Sequence, residues 1–158
     1  MIETEEIVRV EDDRIDALEA AMLELEPIDC PLIHRFTDKM YIREIYMPAG
    51  TLVTSKIHKT NHPFVLSKGK VSVKIDNGEW VTMEAPFSDT TKIGTRRILY
   101  IWEDAVWSTF HVNLDNTTDL EEIENRILEP HTNSVIGEDV NKIYKELLNN
   151  KKEIPCHL

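Results

Sequence analysis

The hydrophobic positions of this chain change period twice. Over residues 12–26, DDRIDALEAAMLELE, Ile15, Leu18, Met22 and Leu25 recur at helical spacing. One apolar stripe of that kind predicts an amphipathic helix. Asp12 or Asp13 can cap its start, and Pro27 stops it. Residues 27–40, with Pro31 and His34, read as a loop or short extended segment. From Tyr41 the period becomes two. Tyr41-Ile42-Arg43-Glu44-Ile45-Tyr46-Met47 alternates and is rich in strand formers. Further short strands are expected at 51–53, 64–66, 70–75, 80–83, 97–102 and 106–112. Asp76-Asn77-Gly78 signals a hairpin, and Glu103-Asp104 reads as another turn. Roughly seven to nine short strands with turns between them suggest an antiparallel sandwich or jelly roll. The helical period then returns. Thr118 and Glu121 have capping-box spacing, and Leu120, Ile123 and Ile127 form a stripe that stops at Pro130. Val140, Ile143, Tyr144, Leu147 and Leu148 mark a last helix.

This divides the chain into an acidic N-terminal helix and linker (1–40), a β-barrel (41–114) and a helical C-terminal tail (115–158). A length of 158 residues suits one domain with a real core. The net charge of −11 sits in the flanks: residues 1–30 carry 2 basic and 11 acidic side chains, and residues 115–158 carry 5 and 10. The barrel region is nearly neutral, with 9 basic and 7 acidic. Acidic flanks argue against nucleic acid, whose phosphates need clustered Lys and Arg. No apolar run is long enough for a membrane span, and the acidic start is unlike a secretory signal, so a cytoplasmic protein is expected. Cys30 and Cys156 lack a CxxC partner and read as free thiols.

The candidate chemistry lies in Gly50 to Gly69, GTLVTSKIHKTNHPFVLSKG, which holds His58 and His62 four residues apart. Its spacing resembles the first motif of the cupin superfamily. There the framework glycines fall on Gly50 and Gly69, the first His position on Lys56, the second on His58 and the Glu position on His62. The second cupin motif falls on Pro86, Lys92, Gly94, Arg97 and Ile101, of which Gly94 alone keeps the family residue. The resemblance covers about 41–114 and implies a double-stranded β-helix with helices outside it. As a whole the chain also resembles small cupin-like proteins of tailed bacteriophages, which would place it in a host cytoplasm.

A typical metal cupin holds its ion with three His and one Glu. Lys56 and Arg97 replace two of these, and neither offers a lone pair at neutral pH. His58 and His62 need a third ligand, for which His111 and His34 are candidates. A set of three His would suit zinc, nickel or iron. The other reading makes His58 and His62 neutral, hydrogen-bonded residues lining a metal-free cavity. Lys56, Arg97 and the two His also form a cationic cluster. Internal carboxylates, Glu44 among them, could pair it, or it could grip an anionic small molecule such as a carboxylate or phosphate. The expected function is small-molecule binding by a non-catalytic cupin-like protein, one version of which is sequestration of a host metabolite or nucleotide. A metal-dependent isomerase or dioxygenase and a virion-associated protein with a vestigial site are the alternatives. The resemblance also implies a homodimer.

Overall fold

The computed structural model describes Ile15, residues 28–74, 80–129 and 136–137. The strands are β1 (Leu32–Thr37), β2 (Met40–Met47), β3 (Leu52–Thr54), β4 (His62–Lys74), β5 (Trp80–Glu84), β6 (Phe87–Thr91), β7 (Ile98–Val112) and β8 (Ile136–Gly137). One helix, α1 (Leu120–Ile127), is present among the described residues.

Strands β4 and β7 are long, antiparallel and paired over most of their length. Around them the others form two halves. In one half the order is β1-β2-β7-β4-β6, using the C-terminal part of β7 and the N-terminal part of β4. In the other it is β8-β3-β7-β4-β5, using the opposite parts. The same two strands thus serve both halves, which makes a double-stranded β-helix. Met47, Val53, Phe64, Leu66, Val71, Val73, Met83, Leu99, Ile101, Ala105 and Trp107 fill the space between them.

Strand parity explains which residues reach that interior. On β2, Arg43, Ile45 and Met47 line an interior cavity, and Tyr41 is buried. Their register partners on β7 are Thr109, Trp107, Ala105 and His111. Successive side chains on a strand point to opposite faces, so Ile42, Glu44 and Tyr46 lie outside. On β4 the inward residues begin as His62, Phe64 and Leu66 and continue as Val71 and Val73. The change of parity needs an irregularity, and the β4–β7 register shifts between Leu66 and Val71. Gly69 lies in this stretch with φ +94°. A Cβ there would stand 2.5 Å from the Asp104 carbonyl oxygen and 2.8 Å from Ala105 Cα. Only glycine allows that approach.

Three local expectations change. Residues 64–66 and 70–75 are parts of one bulged strand rather than two. Glu103-Asp104 does not turn the chain: both residues lie exposed within β7, opposite the bulge, and Asp104 Oδ1 accepts from Ala49 N at 2.9 Å. Residues 32–37, expected as a loop or short extended segment, take the extended form and pair with β2 as a strand. The helix after the barrel starts one residue late, because Asp119, not Thr118, caps it and accepts from Glu121 N and Glu122 N. The hairpin turn after β4, the last predicted helix and the N-terminal helix except Ile15 lie outside the described residues. No described helix is long and apolar enough to cross a membrane.

Candidate metal centre

Three histidines meet at one end of the barrel. His58 sits in the segment between β3 and β4, His62 opens β4, and His111 stands near the end of β7. Their ring centroids are 4.2 Å apart for His58–His62, 4.6 Å for His62–His111 and 5.9 Å for His58–His111. One ring nitrogen from each lies within 4.8 Å of the others.

The local chain is held so that these rings converge. Ser55 N donates to the Arg97 carbonyl at 2.8 Å, and Arg97 N donates to Ser55 Oγ at 2.9 Å. Gly94 N donates to the His58 carbonyl at 3.0 Å. From the other side, Lys59 N donates to the Ile127 carbonyl and Glu129 N to the Ile57 carbonyl. The end of α1 is therefore strapped to the His58 segment, and His58 forms an isolated bridge with Leu128.

Each ring has one buried nitrogen with no hydrogen-bond partner among the described residues. His62 Nδ1 lies 3.3 Å from the Thr60 carbonyl oxygen. A carbonyl only accepts, so Nδ1 carries the proton and Nε2 carries the lone pair. His111 Nε2 bonds Thr109 Oγ1 at 3.0 Å. His58 Nδ1, His62 Nε2 and His111 Nδ1 are buried with no hydrogen-bond partner among the described residues. Buried polar atoms seldom stay unpaired, and outer hydrogen bonds that orient such rings are the usual support of a metal ligand. The donor set therefore fits a divalent transition ion.

The protonation state fits as well. Burial first, then His62, His111, Arg97 and Arg43, push His58 down to about 3. Burial, then His62 and Arg43, push His111 down to about 3. His62 is lowered chiefly by burial, with Arg97 adding to the effect and the Thr60 bond opposing it. All three rings are neutral near pH 7, the form that binds metal.

Beside this cluster lies a cavity of about 100 Å³. Arg43, Lys56, His58 and Arg97, with Thr54, Ser55 and Thr109, supply its polar wall, and Ile45, Met47, Val53, Leu99, Trp107 and Leu128 its apolar one. Arg97 is 6% exposed. Its guanidinium lies 5.8 Å from the Phe64 ring centroid and 5.5 Å from that of Trp107, and the two rings stack on each other at 4.3 Å. A planar cation over aromatic faces is held favourably in place. Neither the Arg43 nor the Lys56 side chain has a hydrogen-bond or ion-pair partner among the described residues.

The structure places the sequence candidates as follows. His58, His62 and His111 come together, whereas His34 does not join them; its Nδ1 lies 2.6 Å from Tyr41 Oη. Lys56 and Arg97 line the cavity beside the cluster rather than the cluster itself. Glu44 cannot pair them. It faces outward and is taken up by Arg35 at 3.1 Å, Tyr46 Oη at 2.8 Å and Ser108 Oγ at 3.0 Å. Sequence reasoning missed Arg43 and Leu128. Arg43 had a signal, since it shares parity with Tyr41, Ile45 and Met47 on an alternating strand. Leu128 had none, because its place depends on how the helix docks. Cys30, free and half-buried, has its thiol pushed up to about 11 by burial and by Asp29, and takes no part.

No family model and no curated protein matches the chain. Solved structures do. Ectoine synthase from P. lautus superposes with a TM-score of 0.50 at 9% identity, over 67% of this chain and 83% of that one. A cupin-2 domain containing protein from Shewanella frigidimarina gives 0.44 at 12% identity, over 59% and 88%. The EutQ protein of Clostridium difficile gives 0.45 at 11% identity, over 58% and 82%. The fold is a cupin fold. At these identities the likeness extends to the fold alone, and the chemistry of this cupin barrel has to be argued from its own residues. Gly50, Gly69 and Gly94, the three framework glycines of the motif spacing, all have positive φ here, at 85°, 94° and 79°.

Proposed function

We propose that this cupin barrel is a metal-dependent site for a small anionic molecule. The observation that carries the reading is the set of three buried histidines, each with an unpartnered ring nitrogen, beside a cavity walled by Arg43, Lys56 and Arg97. His58, His62 and His111 would hold the ion, and with three protein ligands it would keep positions open for Lewis-acid chemistry. The Thr60 carbonyl and the Thr109 hydroxyl orient two of the rings.

The charge balance favours an anion. Three neutral histidines do not offset a divalent ion, and the cavity wall adds cations. An anionic group between them lowers the energy of the whole arrangement. The cavity, at about 100 Å³, is well below the range of drug-sized sites. It suits a carboxylate or phosphate group with a few further atoms, rather than the whole of a nucleotide. The apolar wall of Met47, Val53 and Leu99 would take the rest of the molecule.

Two measurements test this. Protein prepared in medium containing zinc, nickel and iron should carry close to one ion per chain by elemental analysis. His58→Ala, His62→Ala and His111→Ala should each lower that content while the chain stays folded. Titration calorimetry with acetate, oxalate and inorganic phosphate should then show binding that Arg43→Gln and Lys56→Gln weaken about tenfold or more. Metal content that the three His variants leave unchanged would end the proposal. Incubation of the loaded protein with a bound anion, followed by mass spectrometry, separates retention from turnover.

A further inference from the structure

His111 also lines a second cavity, distinct from the one beside Arg43. It measures about 290 Å³ and lies between the end of β7, residues 60–63 and the inner face of α1. Met40, Pro63, Phe110, Ile123 and Ile127 give it a mostly apolar wall. Its polar groups are few, and most are already engaged. The Arg126 guanidinium is held by Asp115 at 2.8 and 2.7 Å and by Glu122, so its charge is neutralised locally. Asn61 Oδ1 accepts from Ile93 N at 2.7 Å.

Apart from His111 Nδ1, assigned above to an ion, the exception is Asn113. It is 4% exposed and lines this cavity. Its Nδ2 donates to the Thr117 carbonyl at 2.9 Å. That contact fixes the amide, because a carbonyl can face only the NH₂ side. Oδ1 is then the atom left over, and it is buried with no partner among the described residues. The backbone holds the side chain in place: Asn113 N donates to the Lys39 carbonyl at 2.9 Å, and Asn116 N donates to the Asn113 carbonyl at 3.1 Å. A buried, unsatisfied acceptor on a residue that lines a mostly apolar cavity favours a ligand that brings a donor.

We propose that this cavity is a second ligand site, for a small neutral molecule that is largely apolar and carries one O–H or N–H donor. The molecule would lie against His111, which lines this cavity and not the cationic one. An anion is disfavoured, since Arg126, the sole cation among the described wall residues, is already paired with two carboxylates. A fully apolar molecule would leave Asn113 Oδ1 unpaired.

Phenol is the test probe, with toluene as its donor-free counterpart and benzoate as its anionic one. In the full chain with labelled isoleucine methyl groups, phenol should shift the Ile123 and Ile127 signals saturably. Toluene should bind about tenfold more weakly, the usual result of leaving a site's polar group unpaired. Benzoate should leave these two signals unmoved. Ile127→Trp, which fills the cavity, should abolish the phenol response while the circular dichroism spectrum is kept. Asn113→Leu should bring phenol and toluene to equal affinity; if it does not fold, the toluene comparison and Ile127→Trp decide. The proposal is overturned if phenol gives no saturable shift, if toluene matches phenol in the unaltered chain, or if Ile127→Trp still binds phenol.

Discussion

His58 and His111 are buried bases held neutral, and this has a cost at low pH. In the unfolded chain a histidine takes up a proton near pH 6.5. In the folded, metal-free protein His58 and His111 do so only near 3. Between those values the unfolded state binds more protons, so stability falls as pH drops from about 6.5 towards 3. The urea midpoint of metal-free protein should decline across this window, and His58→Phe should flatten the decline; a midpoint that is level from pH 6.5 to 4 would contradict it. Gly69 offers a second residue-scale prediction. Gly69→Ala forces a methyl group against the backbone of Asp104 and Ala105 in a left-handed conformation, so both space and φ oppose it. Thermal unfolding should show a loss of about 3 kcal/mol or more, or no folded protein. Gly50→Ala meets open space, so its cost is limited to backbone strain, about 1–3 kcal/mol, and should be the smaller. The sequence spacing already singled out Gly69, but not the reason for it. That reason is a contact with residues some thirty-five positions later in the chain, which no local pattern records.

Element boundaries were legible wherever one face is apolar and the other polar. Residues 41–47 alternate cleanly, and β2 runs Met40–Met47. The pattern misled where tertiary pairing overrides it. Glu103-Asp104 is polar because that part of β7 is exposed beside the bulge, not because the chain reverses. Residues 32–37 do not alternate: Leu32, Ile33 and Phe36 are all partly exposed on an edge strand. Helix α1 shows the same limit at the site. Its Ile123 and Ile127 stripe was readable, but not that its end would bond to the His58 segment. This contact predicts that α1 supports the histidines without touching an ion. Ile123 is 4% exposed, and Ile123→Ala should cost about 2–4 kcal/mol in denaturant unfolding. It should also weaken zinc binding in a competition assay with a chelating dye, while Glu121→Ala, on the exposed face, should change neither. Equal zinc affinity in Ile123→Ala would show that the His58 segment holds its shape alone.

At the scale of the molecule, the three histidines come from parts of the barrel that separate on unfolding. His58 lies between β3 and β4, His62 at the start of β4, and His111 near the end of β7, where it pairs with Tyr41 of β2. An ion on all three would tie the mouth of the barrel together, and the unfolded chain could not reproduce the site. Binding to the folded state alone stabilises by mass action, about 2.7 kcal/mol when free ion stands at a hundred times its Kd. For a chain of this size each kcal/mol moves the melting temperature by about 2–4 °C. Zinc or nickel should therefore raise Tm by about 5–10 °C, and a chelator should reverse the rise. In His58→Ala/His111→Ala the rise should vanish, because one remaining histidine cannot close the site. Oxalate separates two arrangements of the anion. If it bridges the ion and the Arg43–Lys56 wall, it should raise Tm further only in metal-loaded protein. If the cationic wall holds it unaided, the increment should be the same with and without metal. An equal metal-induced rise in the double variant would mean that the ion binds elsewhere, and the buried histidines would then be a neutral part of the core.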